Sequence, residues 1–203
     1  MPKIVHSKSY ITILKMNIPN KNAILKSDLG YGGIPLKPLE SIEFQTKKQM
    51  YDFMAVRLKA YLDEAPDWCS ALGNASALFN ALLKNINWAG FYLMKNQELI
   101  LGPFQGKPAC VRIEMGKGVC GTAALQQTTQ LVPDVHAFDG HIACDSASNS
   151  ELVVPIILNG STVAVIDLDS PLINRFDEED ALGFEKIAKL LSSQLDWQTV
   201  LNR

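Results

Sequence analysis

No stretch of this chain approaches the roughly 18 apolar residues that a membrane-spanning helix needs, and its N-terminus has neither the compact apolar block nor the small-residue cleavage site of a secretory leader. The expectation is a cytoplasmic protein without a membrane partner. An excess of charge of one sign is also missing: 19 Lys and Arg stand against 21 Asp and Glu, a formal net charge of -2. These charges are scattered, so there is no electrostatic footprint for a phosphate backbone, and nucleic acid drops out as a partner. Internal repeats and low-complexity tracts are absent. The four cysteines, Cys69, Cys110, Cys120 and Cys144, form no C-x-x-C pair. In a reducing compartment they are not expected to be standing structural disulfides; cytosolic disulfides are usually transient and catalytic or redox-sensing. "HAFDGHIACD" offers His136, His141, Cys144 and Asp145, but structural zinc draws on two short ligand pairs and the second is missing, so neither metal nor cofactor is expected. His136 reads as a hydrogen-bonded loop residue.

What is present is enough apolar sequence for one sizeable core, 47% of 203 residues. Residues 1–42 carry six Lys, no Arg and the Gly/Pro-rich "LGYGGIPLKP", and read as a poorly ordered or loosely attached extension ahead of a folded domain over 43–203. Phe44, Met50, Met54, Leu58 and Leu62 make a helical stripe, and a second helix capped by Asp67 would bury Leu72, Leu78, Phe79, Leu82 and Leu83. Cys69 falls in that helix and reads as buried. After Asn87 the period drops to 2. "WAGFYLM" and "QELILG" form a hairpin across Lys95-Asn96, "ACVRI" and "TQLVP" are further strands with a short helix between them, and "ELVVPIIL" and "STVAVIDLD" pair across Asn159-Gly160. A final helix opens at Asp177 with Asp180 three residues on, and buries Phe184, Ile187, Leu191 and Leu195. Helices flanking a mostly antiparallel sheet give an α+β fold.

Three features carry chemistry. "GKGVCG" matches G-x-G-x-x-G, but the flanking strands read as hairpin-connected, against a dinucleotide fold. Its glycines still suit a tight turn into a helix, whose N-terminal N–H groups would favour a thiolate at Cys120. Asp167 and Asp169 stand two apart in an apolar strand and so share a face with Val163 and Val165; crowded there, one should keep its proton near neutral pH, unless the strand is ending and both are solvated. Glu151 joins them only under one condition. A two-residue Asn159-Gly160 loop with regular pairing sets Glu151 opposite Leu168, on the wrong face. A three-residue loop or a bulge near Pro155 sets it opposite Asp169.

From Asn87 to about Phe176 the chain resembles the free methionine-(R)-sulfoxide reductases, enzymes built on a GAF domain, through "NWAGFYL", "LGPFQGKPAC", "GVCGTA", "DVHAFDGHIACDSASNSE" and "IDLDSP…RF". The resemblance implies a GAF-like six-stranded antiparallel sheet flanked by helices, a small closed pocket for a free amino acid, and a homodimer. It places Glu151 with Asp167 and Asp169 as an acid cluster that protonates the sulfoxide oxygen, and makes Cys110, Cys120 and Cys144 the redox cysteines. Cys144 as thiolate would attack the sulfur, water would leave, and Cys144 would remain as a sulfenic acid while methionine departs. Cys110 would then condense with it to a disulfide reducible by thioredoxin. Trp88 and Tyr92 would form an aromatic wall for the methionine side chain. Whether Cys144 or Cys120 attacks first stays open. The rival readings are a non-catalytic GAF-type sensor of a small ligand and a thiol peroxidase-like redox sensor, the latter having no evident need for three carboxylates beside the thiol.

Overall fold

The computed structural model describes Leu39 and residues 42–65, 67–142 and 144–202, all within one compact unit, Pro38–Arg203. The expected extension over 1–42 lies outside the described residues except for Leu39 and Ile42, which pack on the main core.

Two helices come first. Thr46 caps α1 (Lys47–Glu64) by accepting from the Gln49 N–H, and Asp67 caps α2 (Trp68–Leu82) by accepting from Ser70, each satisfying a donor that a helix start leaves open. The buried face of α1 is Tyr51, Phe53, Met54, Arg57 and Leu58, rotated from the expected stripe so that Met50 and Leu62 lie at its margin. Cys69, expected to be buried, is exposed. It sits in the first turn of α2, where Ser70 beside it is exposed too and only from Ala71 onward does the helix bury side chains.

The strands follow as β1 (Trp88–Lys95), β2 (Glu98–Gly106) and β3 (Arg112–Glu114), then α3 (Gly118–Gln126), β4 (Gln130–Val132), a 3₁₀ turn at Val135–Ala137, β5 (Ser150–Leu158), β6 (Ser161–Ser170), α4 (Glu178–Gln194) and α5 (Trp197–Leu201). The last helix was not expected from sequence; it seats Trp197 in the core. The first hairpin turns at Asn96 and Gln97, both at positive φ, one residue later than expected. Strand β3 begins at Arg112, leaving Ala109 and Cys110 outside the ladder. The six strands run in the order β3-β2-β1-β6-β5-β4, with every pairing antiparallel, so among the described residues the parallel unit that G-x-G-x-x-G would need is absent.

Alternation along the strands divides the buried residues into two clusters. One joins Ala89, Phe91, Leu152, Val154, Ile156, Ile166 and Leu168 to the inner faces of α1, α2 and α4. The other gathers Trp88, Tyr92, Val153 and Val165 with Val119, Cys120, Ala123 and Ala124 of α3. A capping box at Asp177 and Asp180 opens α4, and buried Asp180 also accepts from Tyr51, Lys47 and Arg175, which ties α4 to α1. Among the described residues no helix is long and apolar enough to cross a membrane.

Candidate active site

The site begins with the register of the β5–β6 hairpin. Its turn is the two-residue Asn159-Gly160, at positive φ in both residues, and Leu158 pairs with Ser161. Left regular, this would place Glu151 opposite Leu168. Between Ile156 and Ile157 the pairing slips by one, Ile157 facing Thr162 and Ile156 facing Ala164, so that Glu151 faces Asp169. This is the bulge expected near Pro155. It also turns Val163 toward the main core, away from Val165, where the two had been expected on one face. On the other side of β6, Trp88 pairs with Asp169 and Gly90 with Asp167. Trp88, Asp169 and Glu151 therefore form one row across three strands, with Asp167 in the next row on the same face.

A cavity lies over this face, roofed by the start of α3 and by the segments that carry the other two cysteines. Trp88, Tyr92, Cys120, Cys144, Glu151, Asp167 and Asp169 all line it; Cys110 does not, and is disulfide-bonded to Cys144 behind it. The structure thus brings together seven of the eight predicted site residues around one cavity and attaches the eighth covalently. The Cys110–Cys144 pairing that the resemblance implies is present as a disulfide. Trp88 and Tyr92 stack at 5.9 Å, and Trp88 stacks on Phe104 at 5.2 Å. Gly90 between them makes this arrangement possible, since a Cβ there would stand 2.8 Å from the Trp88 ring.

Glu151 and Asp167 are buried, each about 6% exposed, and burial is the first reason that all three acids bind protons more tightly than usual. Glu151 and Asp169 are pushed well above the carboxylate range by desolvation and then by the charge of Asp167. Asp167 rises only to about 6, because hydrogen bonds from Cys120, Glu151 and the Leu168 backbone offset part of its desolvation. Sequence reasoning expected crowding to hold the proton; crowding contributes, but desolvation is larger. Glu151 and Asp169 thus hold their protons more tightly than Asp167, the strongest acid of the three. Asp167 Oδ1 is buried without a hydrogen-bond partner, a cost that a ligand bearing a donor would remove.

Cys120 answers differently from the expectation of a thiolate at a helix start. Gly116 and Gly118, at positive φ, do make the tight turn into α3, but burial and the three carboxylates push the Cys120 thiol well above its usual range. Its Sγ lies 4.0 Å from Glu151 Oε1. Cys120, Glu151 and Asp167 present ligand-type atoms within 4.8 Å of one another, so a metal, if any were held, would sit there and not on the His136, His141, Cys144 and Asp145 set. His136 is the hydrogen-bonded loop histidine expected, its Nε2 2.9 Å from Asn149 Oδ1. His141 reaches the cavity with Nε2 3.7 Å from Glu151 Oε2, and burial lowers its pKa, which favours the neutral imidazole there.

Sequence reasoning missed the polar residues that hold the Cys144 loop. Asn87 Nδ2 donates to Asp145 Oδ2 at 3.2 Å and to Ser148 Oγ at 3.0 Å, and the Ser148 hydroxyl donates to Asp169. Asn87 immediately precedes the first strand, but nothing in its spacing pointed to partners about 60 residues away.

Three comparisons place this geometry among known proteins. A GAF domain model matches residues 75–196. The free methionine-R-sulfoxide reductase of Escherichia coli is 45% identical over 149 residues, 73% of this chain and 90% of that protein. That of Saccharomyces cerevisiae is 47% identical over 154 residues, 72% and 86% of the two chains. The X-ray structure of the free methionine-R-sulfoxide reductase from Neisseria meningitidis in complex with its substrate superposes with a TM-score of 0.73 at 37% identity, covering 78% of this chain and 95% of that one.

Proposed function

We propose, on the premise that this chain belongs to the free methionine-R-sulfoxide reductase family of GAF-domain oxidoreductases, that it reduces free L-methionine (R)-S-oxide to methionine through a Cys144 thiolate. The observation that carries this reading is the buried, proton-holding acid cluster in the same cavity as Cys144. A sulfoxide sulfur becomes electrophilic as its oxygen gains a proton, and Glu151 and Asp169 are acids placed to give one. The Trp88–Tyr92 wall takes the methyl and side chain, and ionised Asp167 leaves a negative end for the substrate ammonium.

The electrons balance within two cysteines. Cys144 attacks the protonated sulfoxide sulfur, and the S–O bond breaks with release of water. Water then attacks Cys144 Sγ, freeing methionine and leaving a sulfenic acid. The Cys110 thiol displaces water from that sulfenic acid to give the Cys110–Cys144 disulfide. The net change is sulfoxide plus two thiols to methionine, disulfide and one water. A dithiol protein, thioredoxin, returns the enzyme to its reduced form. Cys120, kept as a thiol by burial and its acidic neighbours, is a weak nucleophile and serves the cluster as a hydrogen-bond donor to Asp167. A homodimer in the cytoplasm, where a reductant for this disulfide is at hand, completes the reading, with residues 43–203 as the catalytic domain.

The test is methionine formation from separated R and S sulfoxides, free and within a peptide, with dithiothreitol or thioredoxin. Turnover of the free R form alone is expected, since a peptide bond removes the ammonium charge and needs room on both sides. Tight binding without turnover would make the protein a sensor, and comparable rates on the peptide would remove the free amino acid from the account.

A further inference from the structure

The two cysteines that form the disulfide lie 34 residues apart in sequence, yet the segments carrying them are gripped by adjacent residues at the start of β1. Trp88 holds one: its indole Nε1 donates to the Lys107 carbonyl at 3.2 Å, three residues before Cys110. Asn87 holds the other: its Nδ2 bridges Asp145 Oδ2 and Ser148 Oγ, directly after Cys144. The two segments also meet each other, with Lys107 Nζ 3.2 Å from Asp145 Oδ1. Asp145 is fixed in place by the Ala147 N–H, which donates to Oδ1 at 3.0 Å, and Asn87 by its own N–H, which donates to the Asp169 carbonyl at 3.0 Å. None of these ties involves a cysteine sulfur.

The Asn87 amide can point only one way, because the reverse would aim its oxygen at the Asp145 carboxylate. In the observed orientation Asn87 Oδ1 is buried with no hydrogen-bond partner. An unsatisfied acceptor is a cost, and what it accompanies is the bridge to the Cys144 loop. Lys107 is two-thirds exposed, so its ion pair adds little by itself; the part-buried amide bridge, which joins two partners, is the stronger tie.

We propose that Asn87, acting through Asp145 and Ser148, is a positioning residue that keeps Cys144 beside Cys110 after the disulfide is reduced, and thereby sets the redox poise of the pair. Two thiols held close form a disulfide more readily than two thiols on independent segments, so holding them raises the equilibrium constant for oxidation. The inference rests on the disulfide and not on the sulfoxide chemistry; if the chain proved not to reduce sulfoxides, the poise of Cys110–Cys144 would still test it.

The test is the fraction of Cys110–Cys144 disulfide in the full chain across dithiothreitol redox buffers, read by thiol alkylation, with the thermal midpoint recorded for each variant. Asn87→Ala should make the disulfide about tenfold easier to reduce, about 30 mV for a two-electron couple. Asn87→Asp, which sets two carboxylates against each other, should shift it further. Exchanging the pair, Asn87→Asp with Asp145→Asn, reverses donor and acceptor and should bring the poise back to within about threefold of the parent, which a role in stability alone does not predict. An unchanged poise in both single variants would overturn the proposal, as would a double variant no closer to the parent than Asn87→Asp. If Asn87→Ala does not fold, the Asn87→Asp and exchanged chains decide alone.

Discussion

The two faces of the same sheet have been filled in opposite ways. Under α1, α2 and α4 the strands present Ala89, Phe91, Leu152, Val154, Ile156, Ile166 and Leu168, an apolar surface whose stability comes from burial and close packing. Under α3 the alternate residues of the same strands present Trp88, Tyr92, Glu151, Asp167 and Asp169, and three carboxyl groups there are withdrawn from water with no lysine or arginine among the groups that shift their protonation. One face is built for stability. The other gives stability up by burying three acids that then bind protons more tightly, a trade seen where burial tunes acids for chemistry.

This comparison can be sharpened by substitutions ordered by their effect. Cys144→Ser should reduce multiple-turnover activity to background in a methionine-release assay while the fold remains; a fully active variant would move the nucleophile to Cys120. On the apolar face, Phe91→Ala should cost about 3–5 kcal/mol in denaturant unfolding and leave turnover per folded molecule near the parent value. On the polar face, Asp167→Asn should act on stability with the opposite sign. Because the folded-state pKa of Asp167 is raised to about 6, its contribution to stability is fully present below the unfolded carboxylate pKa and is lost as pH rises through about 6. Glu151 and Asp169, raised further still, add to the same loss, so the parent should weaken between about pH 4 and pH 7 by an amount on the order of a few kcal/mol or more, and Asp167→Asn should make that slope shallower without abolishing it and melt higher at pH 7.5. Smallest of all, Cys69→Ser, at an exposed position outside both clusters, should change stability by less than about 0.5 kcal/mol and leave turnover unaltered.

Legibility followed range along the chain. Alternation in β6 put Asp167 and Asp169 on one face, and the demand that Glu151 join them was enough to require a one-residue shift, by a three-residue loop or by a bulge near Pro155; the structure has the bulge, one step beyond Pro155 at Ile156 and Ile157. Local capping at Asp67 and Asp177 was legible for the same reason, since a cap and its helix are neighbours in sequence. Cys69 was misjudged because helical period alone does not reveal where a helix outruns its packing partner. The state of Cys120 was misjudged because a helix start pulls toward the thiolate while burial and three distant acids push the other way, and the second effect is visible only once the strands are assembled. Asn87 was legible only as the start of the first strand motif, and its bridging role was not: its partners lie 58 and 61 residues away, in a loop with no regular period.

The most direct test of the polar face pairs two readings on one preparation of Glu151→Gln: methionine released per second from the free R sulfoxide, and the thermal unfolding midpoint. The amide keeps the size of the side chain and removes the proton it can give. Turnover is expected to fall by about two orders of magnitude or more with the midpoint unchanged or higher. A variant that turns over like the parent but melts several degrees lower would contradict the account, because Glu151 would then be holding the fold and not the proton.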